Sequence, residues 1–208
     1  MKIFKKYIAL ILLILLVSCN DVNEIPLKSN IEIQIDGLLR EKDWEDSKII
    51  TLKPSTTLFY IEDEVNLFIG IRNTDSINRY IDLYINNDSI GTINLHASMQ
   101  LGERLLGDHW NDTIPTWDWG NNKDWISNNV EIVNHNENMS FQESIAPYEG
   151  FEFKILKRKI KSKKNRIRIE IKDFLGEAQD IVYPLDSERN NKENWNTINI
   201  KSQMINEK

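Results

Sequence analysis

The chain has 208 residues, 28% of them charged and 40% hydrophobic, with a formal net charge of −6 and a single cysteine. That length is one domain's worth of chain, with ample apolar material for a core. The acidic balance argues against nucleic acid as a partner, and one thiol leaves no internal disulfide to form.

The N-terminus reads as an export signal. Lys2, Lys5 and Lys6 precede an unbroken apolar run from Ile8 to Val17, which is too short for a bilayer span of roughly 20 residues and suits the apolar part of a signal peptide. Leu16-Val17-Ser18-Cys19 then resembles the bacterial lipobox, whose cysteine is acylated and becomes the first residue of the mature protein. The expectation is a signal peptide over 1–18 and a Cys19 that anchors the chain in the membrane through two or three acyl chains. Asn20 is not a signal for retention at the inner membrane, so an outer-membrane location is expected, on either face. Removal of 1–18 takes three lysines and no acids, which moves the net charge from −6 to −9. Residues 19–30, with Pro26 and no clear periodicity, read as the lipidated end and its tether, and the eleven residues after Cys19 reach about 36–40 Å when extended.

Beyond the tether, the domain expected over 31–208 has a period of two. Ile31, Ile33 and Ile35 alternate with polar residues, as do Val65, Leu67, Ile69 and Ile71, then Ile81, Leu83 and Ile85. Phe151, Phe153 and Ile155, then Ile167, Ile169 and Ile171, then Ile198 and Ile200 repeat the pattern. Half-buried antiparallel strands read this way, and ten or so of them without intervening helices predict two sheets packed face to face. Lys154 to Lys164 is the one basic cluster and reads as the solvated end of a hairpin, with contact to an anionic membrane or polysaccharide as the alternative. Ser98 to Ser140 is the exception to the alternation, polar and rich in tryptophan.

Four stretches resemble family 9 carbohydrate-binding modules. The first is Ile35-Asp36-Gly37-Leu38-Leu39-Arg40-Glu41-Lys42-Asp43-Trp44, a strand followed by Asp-Gly, a glutamate and a tryptophan. The second is Leu58 to Asn73, similar to the family's central hairpin, with its acidic turn Glu62-Asp63-Glu64. The third is Arg79 to Asn86, with Asp82 and Tyr84, and the fourth is Tyr148-Glu149-Gly150-Phe151-Glu152-Phe153-Lys154-Ile155. The Ile-Pro-Trp that usually follows the fourth is replaced here by Ile155-Leu156-Lys157. The resemblance implies an all-β fold, a two-sheet antiparallel β-sandwich of jelly-roll or DOMON-like type, with Trp44 folded back as a plug over one end. It implies carbohydrate binding for some relatives and haem binding for others.

Four of the six tryptophans lie between Trp110 and Trp125. Flat rings set among carboxylates and amides suit a ligand with an apolar face and hydroxyl edges, of which a sugar is the commonest. Trp117, Trp119 and Trp125 are the candidate platforms, with Asp118, Asn121, Asn122 and Asp124 as hydrogen-bonding neighbours. Trp117 and Trp119 are two apart, so an extended backbone points both rings to one face. A pyranose covering roughly 100 Å² of one ring gains about 2.5 kcal/mol. Two rings gain about 5 kcal/mol against an association cost of at least ~4 kcal/mol, so hydrogen bonds must contribute. The competing reading is that these rings pin a long loop over a sheet edge. Trp110, Trp44 and Trp195 are assigned to packing.

No catalytic pattern is found: there is no nucleophile elbow and no phosphate-cradling glycine loop. Asp108, Asp112, Asp118 and Asp124 match no EF-hand spacing, and His96, His109 and His135 match no zinc motif, so neither metal nor cofactor is expected. The expected function is non-catalytic binding of a polysaccharide or oligosaccharide by a lipid-anchored envelope protein. Two alternatives stand beside it. One is an adaptor lipoprotein whose tryptophans contact another envelope protein. The other is a haem-binding DOMON relative that uses Met99 and a histidine.

Overall fold

Alternation of isoleucine and leucine with polar residues builds most of the ladders. In the computed structural model, which describes residues 24–74, 79–106, 116–120, 123–128, 149–173, 176 and 178–201, the architecture is a two-sheet antiparallel β-sandwich. Twelve strands form among the described residues. They are β1 Lys48–Lys53, β2 Thr56–Glu62, β3 Asn66–Asn73, β4 Arg79–Asn87, β5 Gly91–Ala97, β6 Leu101–Leu105, β7 Asp118–Trp119, β8 Trp125–Ser127, β9 Gly150–Leu156, β10 Lys164–Asp173, β11 Ile181–Tyr183 and β12 Asn196–Asn199. A five-stranded sheet has the order β1-β2-β3-β9-β8. A seven-stranded sheet has the order β11-β10-β4-β5-β6-β7, with β12 sharing the β10 edge with β11.

The period of two decides which side chains meet between the sheets. Leu67, Ile69 and Ile71 of β3 and Phe151, Phe153 and Ile155 of β9 face Ile81, Leu83 and Ile85 of β4 and Ile167, Ile169 and Ile171 of β10 in one buried cluster. Burying a side chain of this size is worth about 1.5–3 kcal/mol, so this layer dominates the fold. Val65, expected to belong to the β3 alternation, sits instead in the turn before it and is exposed.

The N-terminal segment departs from expectation. Ile31, Ile33 and Ile35 alternate as read but join no ladder; they pack on a second buried cluster with Leu39, Trp44, Phe59, Ile61 and Phe68. Phe59, Ile61 and Phe68 point away from the inter-sheet core, so this segment covers the outer face of the five-stranded sheet. Trp44 covers that face rather than one end of the sandwich. Glu152 on β9 ties the cover down. Its carboxylate accepts from the backbone N–H of Asp36 at 3.0 Å, from that of Gly37 at 2.7 Å and from Trp44 Nε1 at 3.0 Å. Asp36-Gly37, Trp44 and Glu152, residues of two separate stretches quoted above, thus meet at one buried carboxylate.

Part of the segment expected as tether, from Glu24, packs on the sandwich. Glu24 bridges to Asn199, the Ile25 N–H donates to the Asn199 carbonyl at 3.2 Å, and Ile25 is buried. Pro26 and Lys28 exchange backbone hydrogen bonds with Glu62. Among the described residues the fold therefore includes the segment from Glu24, ahead of Ile31, because Ile25 finds core space and the backbone finds an open strand edge.

The basic cluster is a crossover between the sheets rather than a hairpin end. β9 ends at Leu156, a helix covers Lys157–Ile160, and β10 starts in the other sheet. Lys157 is itself buried and lies 2.7 Å from Glu62 Oε2.

Candidate functional site

The outer face of the seven-stranded sheet carries a row of side chains that the alternation turns away from the core. Register places Trp119 opposite Gly102, Gly102 opposite His96, His96 opposite Asp82 and Asp82 opposite Glu170, across five neighbouring strands. Gly102 makes the row possible. A Cβ there would lie 2.6 Å from Trp119 Cε3 and 3.4 Å from Trp117 Cε3, so only a glycine lets both indoles settle on β6.

The rings then support one another. Trp117 and Trp119 have centroids 5.3 Å apart, and the Arg104 guanidinium lies 4.0 Å from the Trp117 centroid. His96 meets Trp119 edge-on at 5.5 Å and also touches Trp117 at 5.2 Å and Tyr80 at 5.4 Å. His96 Nδ1 is 2.9 Å from Asp82 Oδ1. A carboxylate only accepts, so Nδ1 carries the proton and the ring is held in one orientation.

Further along the face, Glu170 is gripped by Arg168, Arg189 and Lys172. Burial alone pushes the Glu170 carboxyl up, but hydrogen bonds from Arg189, Arg168 and Lys172 outweigh it and hold it at about 2. Tyr84 lies beside this cluster with its edge against Trp195, and burial pushes its phenol well up. Trp195 is buried, as expected, and donates from Nε1 to the Glu188 carbonyl.

At the other end of this face the sheet opens into a groove of about 590 Å³ lined by Tyr80, His96, Ser98, Met99, Gln100, Trp119 and Asp173. That size is in the range of small-molecule sites. Trp119 keeps 48% of its surface exposed and Met99 keeps 47%, so the groove has two apolar walls open to solvent. Ser98 Oγ bonds to the Gln100 backbone, which commits the hydroxyl to a turn. Among the described residues, no group of three histidine, cysteine, aspartate or glutamate side chains is arranged to hold a metal ion.

The expected site residues are divided by this geometry. Trp117 and Trp119 share a face, as the spacing predicts, and Trp119 lines the groove. Asp118 is exposed on β7 but falls between them on the opposite face of the strand and does not line the groove. Trp125 is not a platform: it lies in the other sheet, buried, 6.2 Å from Phe153 in a stacked arrangement, with Nε1 donating to Glu103 Oε2 at 2.6 Å. Its neighbour Asp124 is taken by Arg158, whose hydrogen bond holds the Asp124 carboxyl below the usual carboxylate range. The Asp124 carbonyl also accepts from the Leu156 N–H at the end of β9, and Asp124 does not line the groove. Asn121, Asn122, Trp110 and Cys19 lie outside the described residues.

Tyr80, Gly102 and Asp173 were not singled out from sequence, and His96 was weighed only as a metal or haem ligand. The available signal was the alternation itself, since residues between the isoleucines of β4 and β5 must face outward. Nothing local said that this outer face would meet the tryptophans.

No protein-family model matches the chain, and neither a curated protein nor a solved structure does. No helix among the described residues is long and apolar enough to cross a membrane.

Proposed function

We propose that this chain is a lipid-anchored protein of the bacterial cell envelope that binds carbohydrate, without cleaving it, in the groove beside Trp119. The observation that carries the reading is a half-exposed indole, braced from behind by Gly102, Trp117 and His96, on the wall of an open groove that Gln100 also lines. A pyranose stacks its C–H face on such a ring, and the exposed Gln100 offers an amide to its hydroxyls. The resemblance of four ordered stretches to family 9 carbohydrate-binding modules supports the same reading, and the lipobox around Cys19 supports the anchor.

Affinity gel electrophoresis of the chain against a panel of plant, fungal and bacterial polysaccharides tests it. Retardation by at least one polysaccharide, lost in the Trp117→Ala/Trp119→Ala variant, is the expected result. Retardation by none of them, or retardation unchanged in that variant, refutes it.

A second reading draws on one observation: His96 and Met99, two residue types that ligate haem iron, line the same groove. Three aromatic rings enclose His96, and its side chain is only 12% exposed, which leaves little of it for an iron ligand. The sugar reading is therefore preferred. A Soret band after reconstitution with haemin would reverse that preference.

A further inference from the structure

We propose that the end of the sandwich carrying Lys161, Lys163 and Lys164 lies against the anionic lipid headgroups of the membrane in which the chain is anchored, so that the aromatic groove faces away from the bilayer. The proposal rests on the reading of Cys19 as the acylated residue.

The chain enters the fold beside these lysines. Glu24 bridges to Asn199, Asn199 pairs with Lys164, and the Ile200 N–H donates to the Lys163 carbonyl. Two strand spacings separate Glu24 from Lys164, about 10 Å. Five peptide steps from Cys19 to Glu24 span at most about 18 Å. An acyl anchor on Cys19 thus keeps this end within about 18 Å of the headgroups.

The charge at this end suits such a surface. Lys157, Arg158 and Lys159 are engaged with Glu62, Asp124 and Glu103. Lys161, Lys163 and Lys164 are exposed and form no ion pair among the described residues. Lys161 sits at a positive φ of 57°, a tight stop that turns the chain out at the helix end. Asn87 anchors the turn from below, donating to the Ile160 carbonyl at 2.9 Å and to Asn165 Oδ1 at 2.7 Å. The exposed acids nearby, Glu24, Glu64 and Asp88, are spread over three other segments. Three lysines at an anionic surface strengthen attachment on the order of a hundredfold.

The groove lies at the far end of the same strand. β10 runs from Lys164 to Asp173, which lines the groove, over a distance of about 30 Å. A chain held at Lys164 therefore presents Asp173 and Trp119 outward, toward ligands arriving from the aqueous side.

Acylation consumes the thiol of Cys19, the only cysteine, so Ser162→Cys and Gln100→Cys each give the purified lipoprotein one labelling site. Mass analysis of the N-terminal peptide reports whether Cys19 is acylated. The labelled chains are inserted into phosphatidylcholine vesicles, with or without phosphatidylglycerol, that contain a headgroup-level quencher lipid. A fluorophore at 162 is expected to be quenched several-fold more than one at 100. Phosphatidylglycerol is expected to widen the difference, and Lys161→Glu/Lys163→Glu/Lys164→Glu to abolish that gain. Equal quenching at the two ends overturns the orientation, as does a phosphatidylglycerol effect that survives the triple substitution. A Cys19 without acyl chains overturns the anchor reading and the proposal with it.

Discussion

Trp119→Ala separates the ligand-facing half of an indole from its packed half. A tryptophan side chain presents roughly 200–250 Å². With 48% of the residue exposed, about 100–120 Å² is free for a sugar face. At about 25 cal/mol per Å², full coverage is worth roughly 2.5–3 kcal/mol and half coverage about 1.3 kcal/mol. The substitution is therefore expected to raise Kd for a retarding polysaccharide by roughly ten- to a hundredfold. A single ring does not offset an association cost of at least ~4 kcal/mol, so the polar lining must add to it. Gln100→Ala, which removes an exposed amide, is expected to weaken binding about fivefold, the worth of one hydrogen bond. Titration calorimetry with oligosaccharides from the retarding polysaccharide gives both values, with a thermal melt to establish that each variant is folded. A folded Trp119→Ala variant that binds as tightly as the parent would refute the reasoning, because no other exposed indole is described in the groove.

Other expectations follow from the same geometry. Gly102→Ala places a methyl 2.6 Å from the Trp119 ring and should tip it out of the row, shifting tryptophan fluorescence and weakening binding while the ladder persists. Gly150→Ala has no such escape: its Cβ would lie 1.9 Å from the Ile71 backbone carbonyl, so little folded protein should be recovered, as read by circular dichroism of the soluble fraction. Trp125→Ala should cost about 3–5 kcal/mol in chemical denaturation, the usual loss for a buried tryptophan. Glu170 makes stability sensitive to acid. Its folded pKa of about 2 lies below the ordinary 4.5, so its contribution is present above 4.5 and is lost as pH falls from there toward 2. That contribution is on the order of 3 kcal/mol, and Glu170→Gln should flatten the denaturation midpoint across that window.

Much of the architecture was legible in the residues because strand alternation is a local property. Ile81, Leu83 and Ile85 had to share a face whatever they packed on, and so did Trp117 and Trp119. The hairpin of β2 and β3 could be read from its acidic turn in the same way. Local pattern does not say which edge is free or which face is covered. Ile31, Ile33 and Ile35 had the alternation of a strand, yet became a cover, because the outer surface of β2 and β3 was apolar and Glu152, more than a hundred residues away, held Asp36, Gly37 and Trp44 in place.

The tryptophans mark the boundary between the two kinds of knowledge. Trp119 and Trp125 stand six residues apart among similar polar neighbours, and nothing in that stretch distinguishes them. Composition and periodicity alone determined that the chain makes sheets, which residues line their inner faces, and that several indoles stand outside the regular pattern. Tertiary structure decided the rest: one indole joined the edge of the seven-stranded sheet over a glycine and stayed half exposed, while the other joined the five-stranded sheet and entered the core. The fate of each ring was set by the partner strand its backbone reached, and strand pairing is a property of the whole chain rather than of any short stretch.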